Sequence, residues 1–235
     1  MPLVLRVDVD KPYGKSSFGR RVMSKLVEDY WFPRTTGLGY LRDLRLLLGV
    51  LERHDVGGHI YLRTCTAPDP ATAELLRRGG HHVGFHAENT RSFETFANEL
   101  ACFRDRVGGL EVKSFTKHGS GTLKLGRHHY PPYEEEKYRD WAGRLGLGFP
   151  FGNGTISDFD SLSESLAFLP EMFWMEADYR DPAASDSSRL VALAERFFVP
   201  VLIHPSNYVA LRQARTDFDA LLDQAASAGV GWVVG

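Results

Sequence analysis

Four short apolar stretches of the chain each end in aspartate or histidine, the residue types that carry acid–base and metal chemistry. The first stretch reads VDVD and ends at Asp10, which places two carboxylates, Asp8 and Asp10, two residues apart. Alternate side chains of a strand point to the same face, so these carboxylates are expected side by side. They repel each other unless a cation or a proton lies between them. The alternative is that one caps the next segment and the other is solvated.

Histidines stand at the ends of two other stretches. His86 closes HHVGFH, where Gly84 leaves room beside the imidazole, and His204 is followed directly by Pro205, which stops the strand. Imidazole is a common ligand of divalent metals and can work as a general acid near neutral pH. We predict that His86 binds a metal and that His204 is a general acid. A structural role for either histidine is the alternative.

The fourth stretch reaches His118 and leads into a turn, so that residues 116–121 read TKHGSG and combine the donors Lys117 and His118 with two glycines. Glycines let the backbone approach a ligand and turn its amides inward. Lys117, Gly119 and Ser120 are therefore candidates for a substrate or oxyanion pocket. A plain tight loop is the alternative.

Two more carboxylates lie near the end of another predicted strand. Glu176 and Asp178 are two residues apart and would share one face of that strand. Either could orient His204 or another catalytic group, and either could equally be a solvated charge.

The elements that must position these residues alternate along the chain. Short apolar runs predict strands, and windows with apolar residues three and four apart predict amphipathic helices between them. The predicted strands are Leu3–Asp10, His59–Cys65, His81–Ala87, Lys113–Gly119, Gly146–Phe151, Phe173–Tyr179, Phe198–Pro205 and Val230–Val234, and the predicted helices are Leu41–Leu51, Ala71–Arg78, Phe93–Val107, Pro132–Leu145, Ser187–Phe197 and Asp217–Ala228. This alternation indicates βα units around a parallel sheet. Seven or eight units favour an α/β protein of the (β/α) barrel type over an open doubly wound sheet, and a barrel carries its chemistry at the C-terminal ends of its strands.

Size and composition are those of an ordinary globular protein. The 235 residues are 43% apolar and 25% charged, and we expect one domain over residues 1–235. The net charge of -2 gives no basic field that would attract nucleic acid. Cys65 and Cys102 form no CxxC motif, which argues against a disulfide framework or a zinc ribbon. With no visible signal peptide and no apolar run of about 18 residues, we expect a cytoplasmic protein without a transmembrane segment, and a homo-oligomer stays open.

These residues resemble motifs of the polysaccharide deacetylase family, also called NodB-like proteins or carbohydrate esterase family 4. Asp8-Val9-Asp10 resembles the first motif, in which the first aspartate is the general base and the second binds metal. His86 resembles the first histidine of the HxxxH metal motif, and His204 resembles the general acid of the closing LxH motif. The resemblance implies a (β/α)7-type barrel, often irregular, and a divalent metal, expected to be zinc. It also implies hydrolysis of an acyl group, expected to be N-acetyl, on a carbohydrate substrate, which is chemistry on a C–N bond other than a peptide bond.

The chain departs from the family pattern at the second metal histidine, which should lie four residues after His86. Thr90 occupies that position, and a threonine hydroxyl is a poor ligand for zinc. Either a substitute such as His118 holds the metal, or the metal binds weakly or is absent. Glu88 and Asn89 are lesser substitutes. The family's arginine-proline motif after the fourth strand is not recognisable either.

Two other functions stay open. A barrel that lost its metal could be an inactive homologue that binds a carbohydrate or a partner, with rim aromatics such as Tyr13, Tyr133 and Tyr208 stacking on sugar rings. A rim of aspartates and histidines also suits a phosphoester hydrolase on a related barrel.

The segment Tyr13–Tyr40 is too long for an ordinary βα loop. It contains the basic residues Arg20, Arg21 and Lys25, followed by the aromatic run YWFP. Its apolar residues are spaced like one face of a helix; they are Val22, Leu26, Val27 and Tyr30. The segment could be a lid, a basic and aromatic patch for a lipid-linked or anionic substrate, or a helix that packs on the barrel.

Overall fold

The structure is a computed structural model that describes residues 2–11, 18–30 and 40–234. Within these ranges it has seven strands and eight α-helices. The strands are β1 (Leu3–Val9), β2 (His59–Leu62), β3 (His82–Ala87), β4 (Ser114–Lys117), β5 (Phe151–Thr155), β6 (Leu169–Trp174) and β7 (Val199–Ile203). The helices are α1 (Phe18–Tyr30), α2 (Tyr40–Arg53), α3 (Pro70–Arg78), α4 (Phe93–Arg104), α5 (Glu135–Leu145), α6 (Leu190–Leu193), α7 (Pro205–Ala210) and α8 (Arg212–Ala228).

All seven strands belong to one parallel sheet in the order β4-β3-β2-β1-β7-β6-β5. The two edges of the sheet approach each other through a bridge between Ser114 of β4 and Gly148, which precedes β5. The sheet therefore curls into a nearly closed barrel with helices around it, and this confirms the predicted (β/α)7-type barrel. Because the strands are parallel, their C-terminal ends lie at the same rim.

Helix α2 shows how the outer layer is attached. Leu44, Leu47, Leu48 and Leu51 form the predicted apolar stripe, and all four are buried in the main core. The strand β1, which lies in the middle of the sheet order, is buried at every residue, although it holds Arg6 and Asp8. Among the residues described, no helix is both long enough and apolar enough to cross a membrane.

The predicted boundaries of β5 are wrong. β5 spans Phe151–Thr155, whereas the prediction placed it at Gly146–Phe151. Its FGNGT sequence is typical of a turn, but the glycines are required because β6 passes very close. A Cβ atom at Gly152 would lie 2.2 Å from the carbonyl oxygen of Pro170. Gly146 instead adopts a left-handed conformation, with φ of 63°, that ends α5.

Two further predicted elements differ from the structure. β6 ends at Trp174, so the predicted strand Phe173–Tyr179 stops early and continues as a 3-10 turn at Ala177–Tyr179. The predicted eighth strand is reduced to a bridge between Leu3 and Trp232 beside the start of β1.

We predict that Leu44→Ala lowers the free energy of unfolding by about 2–5 kcal/mol, because Leu44 is fully buried and its removal leaves a cavity. Urea denaturation monitored by circular dichroism measures this loss. Leu46→Ala is the matched control on the same helix, because Leu46 is 48% exposed, and it should cost less than about 1 kcal/mol. Equal losses in the two variants would contradict the packing of α2.

Candidate active site

The C-terminal rim of the barrel forms a cleft of about 300 Å³ that brings together Asp8, Asp10, His86, His118 and His204. Asp8 and Asp10 come from the end of β1, His86 from β3, His118 from the residue after β4 and His204 from the residue after β7. Sequence positions almost 200 residues apart therefore meet because parallel strands deliver their ends to one rim.

Asp10 stands between three imidazoles. Its Oδ1 atom lies 3.0 Å from Nε2 of His86 and 3.2 Å from Nδ1 of His118, and its Oδ2 atom lies 3.2 Å from Nε2 of His204. Burial alone would raise the pKa of Asp10, but the facing His118 and His204 rings lower it well below its usual value. Asp10 is therefore a carboxylate at neutral pH.

Asp10, His86 and His118 have the atom types and the spacing that a divalent cation needs. Their ligand atoms lie within 4.8 Å of one another. Nitrogen and oxygen ligands bound to zinc at its usual distances are separated by about 3.0–3.5 Å, which is the spacing observed around Asp10 Oδ1. Asp10 Oδ1 and His118 Nδ1 are buried and have no aligned hydrogen-bond partner among the described residues. The three side chains therefore form a group that could hold a metal ion.

The register of β3 and β4 orients His86. The two strands pair His86 with Thr116, and the Thr116 hydroxyl oxygen lies 2.7 Å from Nδ1 of the imidazole. When Nδ1 donates this bond, Nε2 keeps its lone pair and faces Asp8 and Asp10. Such an outer hydrogen bond is the usual way in which proteins fix the orientation of a metal-binding histidine.

Asp8 is held by Arg6, which precedes it by two residues on the same face of β1. The guanidinium donates from Nε to Oδ1 at 2.8 Å and from Nη2 to Oδ2 at 2.7 Å, and it also donates to the Gly152 carbonyl. Asp8 Oδ2 lies 3.4 Å from Nε2 of His86. Burial would raise the pKa of Asp8, but the charge of Arg6 lowers it. Asp8 is thus an ionised carboxylate in a fixed position.

His204 lies between two carboxylates. Its Nδ1 atom is 2.9 Å from Oε1 of Glu176, and the same oxygen accepts hydrogen bonds from the His204 main-chain N–H and from Asn207 Nδ2. The Trp174 ring stacks on the imidazole, with centroids 5.6 Å apart. Burial lowers the pKa of His204, but Glu176 and Asp10 outweigh it and raise the pKa well above the usual value. His204 is therefore an imidazolium.

His118 has the opposite character, although it faces the same Asp10 carboxylate. Burial and the nearby Arg63 charge lower the pKa of His118 to about 4. A neutral imidazole can bind a metal, whereas an imidazolium can donate a proton. The site therefore separates its histidines into one suited to binding and one suited to acid catalysis.

The glycine-rich loop after β4 forms another wall of the cleft. Lys117 is buried, and its ammonium donates to the main-chain carbonyls of His118 and Gly119. Burial lowers the pKa of Lys117 to about 7. Gly119 has a positive φ of 58°, and a Cβ atom there would lie 2.5 Å from Leu125 Cδ1. Gly119 and the exposed Ser120 line the cleft, so the three predicted loop residues do border the site.

Asp178 does not join the site. It is exposed in the 3-10 turn after β6 and does not share a face with Glu176, which is fully buried. The prediction that the two carboxylates share a strand face is wrong because the strand ends at Trp174.

Thr90, Glu88 and Asn89 are not members of the ligand group formed by Asp10, His86 and His118. Thr90 is fully buried, and its hydroxyl oxygen lies 3.1 Å from the hydroxyl of Tyr138. It is not among the residues that line the cleft, whereas His118 is. Glu88 pairs with Arg63 at 2.7 Å.

The proposed rim aromatics do not border the cleft in the described structure. Tyr208 is buried and donates to Asp219, and Tyr133 is absent from the lining. Tyr13 lies outside the described residues. Trp174 and Tyr179 line the cleft instead.

Other residues at the site were not predicted. Lys11, Asn153 and Asn207 line the cleft, and Arg6 fixes Asp8. Only Arg6 had a sequence signal, because RVDVD places it on the same strand face as Asp8 and Asp10.

Arg63 connects the site to α1. It is almost completely buried, and it pairs with Glu88 and with Glu28 of α1, each at 2.7 Å. Its Nη1 atom donates to the main-chain carbonyl of Asp10. Arg63 therefore holds the backbone of a central site residue and one helix of the rim at the same time.

Comparisons with known proteins identify the fold through structure alone. No protein-family model and no curated protein matches the chain. A family 4 carbohydrate esterase from Streptomyces lividans, solved in complex with acetate, superposes with a TM-score of 0.52 at 12% identity over 99% of this chain and 92% of that chain. This chain has the fold of carbohydrate esterase family 4. A variant of the peptidoglycan deacetylase PdaC from Bacillus subtilis superposes with a TM-score of 0.50 at 10% identity over 99% of this chain and 86% of that chain.

The family 4 fold occurs with and without activity. A family 4 pseudoenzyme from Bacillus anthracis superposes with a TM-score of 0.51 at 12% identity over 98% of this chain, and this chain spans 62% of that protein. A mutant of that protein has restored enzymatic activity. The fold therefore does not determine whether a protein is active, and function depends on the side chains in the cleft.

We predict that Arg6→Met lowers the free energy of unfolding by about 3–5 kcal/mol at pH 7, because it leaves the buried Asp8 carboxylate unpaired. Denaturant titration measures the loss. The loss should shrink as the pH falls, since protonation of Asp8 removes the uncompensated charge.

Two further variants serve as controls. Arg6→Met combined with Asp8→Asn should recover part of the stability. Arg77→Met breaks an exposed pair with Glu74 and should cost at most about 1 kcal/mol. A loss for Arg6→Met as small as that for Arg77→Met would contradict the role of this pair.

Proposed function

We propose that this protein is a metal-dependent hydrolase that removes an acyl group, with N-acetyl expected, from a carbohydrate or sugar-containing substrate. The observation that carries the proposal is the order of groups across the cleft. An ionised aspartate, a set of metal-ligand atoms and an imidazolium lie next to one another, and these are the base, the electrophile site and the acid that acyl hydrolysis needs.

Asp10, His86 and His118 would hold the cation, and zinc suits this donor set of one oxygen and two nitrogens. When bound, the cation would polarise the acyl carbonyl and lower the pKa of a water molecule. His118 would replace the ligand that the family resemblance places at Thr90. Its depressed pKa supports this role, because only a neutral imidazole can coordinate.

Asp8 would take the proton from the attacking water. The pairing with Arg6 keeps the carboxylate ionised and prevents it from turning away, so the base is available at neutral pH. Its position beside His86 Nε2, at 3.4 Å, supports a role next to the ligand set.

His204 would protonate the leaving amine or alcohol. Glu176 holds the Nδ1 proton, so the Nε2 proton faces the cleft and Asp10. Glu176 is therefore proposed as the group that orients this acid and keeps it charged. Gly119 and Ser120 would lie beside the acyl oxygen, where main-chain amides can stabilise an oxyanion.

We predict that His118→Ala weakens zinc binding at least about 100-fold, because it removes one of three ligands. Metal analysis of protein purified without chelator, followed by competition with a chromogenic chelator, measures the change. Thr90→Ala is the matched control and should leave zinc affinity unchanged. Equal losses in both variants would refute the assignment of His118. An absence of bound metal, together with no effect of zinc on thermal stability, would favour an inactive binding protein.

We predict that Asp8→Asn lowers turnover by about 10²–10⁴-fold while zinc remains bound, since the base is lost and the ligands are intact. Acetate release from N-acetylated oligosaccharides and from an aryl acetate measures turnover. His204→Gln provides a second test, because it removes the acid and leaves the Arg6–Asp8 pair in place. Full turnover in either variant would contradict the mechanism.

A further inference from the structure

The helix α1 is attached to the barrel mainly through its polar side chains. Glu28 pairs with Arg63, Lys25 donates to the Leu125 carbonyl, and Asp29 accepts from the main-chain N–H of Arg127. A surface helix of a globular protein usually turns its apolar face to the core and its polar face to water. The orientation of α1 is therefore unusual and needs an explanation.

The opposite face of α1 exposes large apolar side chains. Phe18 is 82% exposed and Tyr30 is 58% exposed, and Val22, Met23 and Leu26 are each more than 40% exposed. Val27 is the exception, because it is buried against Cys65. Exposed apolar residues that occur singly are ordinary on a protein surface. Large contiguous patches of them mark interaction sites, and the residues of α1 form such a group.

A loop bonded to α1 also exposes apolar side chains. Leu123 is 77% exposed and Leu125 is 49% exposed, and Arg127 of the same loop lies over the Tyr30 ring at 5.3 Å. We name the combined area the α1 surface; it consists of Phe18, Val22, Met23, Leu26, Tyr30, Leu123 and Leu125. Among the described residues, the other exposed large apolar side chains are Leu46 and Tyr179. Because Leu125 also lines the cleft, the α1 surface reaches the mouth of the candidate active site.

Among the described side chains, the exposed charges of α1 and this loop are positive. Arg21, Lys25, Lys124 and Arg127 are exposed, whereas the carboxylates of Glu28 and Asp29 are partly buried and bonded. This local excess contrasts with the chain's net charge of -2. An apolar area rimmed by cations is complementary to a layer of anionic headgroups above acyl chains.

A second copy of the chain fits this surface less well. A two-fold interface presents the same patch on both subunits, so it would bring the cations of one copy against those of the other. We propose that the α1 surface docks on an anionic lipid bilayer and holds the mouth of the cleft at the membrane–water boundary. The inference goes beyond the proposed function and depends neither on the metal nor on turnover.

Vesicle sedimentation with the full chain tests the docking. Vesicles of phosphatidylcholine alone and vesicles containing one third phosphatidylglycerol are compared at low and high salt. Stronger binding to the anionic vesicles, weakened by salt, is expected. The double variant Phe18→Ser with Leu123→Ser should lower the affinity at least about tenfold, and Arg21→Gln with Lys124→Gln should lower it by a similar factor.

Leu46→Ser is the control, because Leu46 is an exposed leucine, at 48%, on α2 and outside the α1 surface, and this variant should bind vesicles as the unaltered protein does. Equal binding to both vesicle types, or unchanged binding of the Phe18→Ser and Leu123→Ser variant, would overturn the proposal. A lipid-independent dimer that this variant dissociates would also overturn it, since the surface would then be a self-interface. Turnover of a soluble aryl acetate separates this test from the proposed function, because it should be the same in the docking variants.

Discussion

Buried charge along β1 is the constraint on which the site depends. Arg6 and Asp8 are buried on one face of a strand in the middle of the sheet order, and Asp10, whose side chain is 22% exposed, follows the end of that strand at the rim. An isolated charge in such a position costs several kcal/mol, so each needs a partner. Arg6 and Asp8 satisfy each other through two hydrogen bonds, and Asp10 is left to the imidazoles that neighbouring strands bring to the rim. The pairing within the strand therefore decides which carboxylate remains available to a cation.

The same principle explains why the imidazoles around Asp10 differ. His204 lies beside Glu176, and the pKa of its imidazole is raised, whereas His118 is buried near Arg63 and its pKa falls to about 4. Neither difference comes from the histidine itself. The shift of His118 follows mainly from its burial and that of His204 from its two carboxylate neighbours, so one ring is suited to ligation and the other to proton donation.

Arg63 links this chemistry to the outside of the barrel. Its guanidinium contacts Glu88, the main-chain carbonyl of Asp10 and Glu28 of α1. The polar face of α1 is used in these contacts, and the apolar face is left at the surface. The distribution of buried charge at the site thus accounts for the exposed apolar face that we propose as a docking surface.

The sequence by itself determined the strands that carry the site and the residues at their ends. The alternation of apolar and charged residues in RVDVD, the glycine before His86 and the proline after His204 are local signals. Such signals can be recognised from the sequence without a structure. The predicted strand boundaries were wrong where contacts with neighbouring chain segments determine them. FGNGT forms a strand in which the glycines leave room for the backbone of β6. Glu176 lies outside a strand because β6 ends at Trp174. Only the tertiary structure decided the partners, such as Arg63 for Asp10 and Glu176 for His204, because contacts between distant segments depend on the closure of the sheet, which no local pattern encodes.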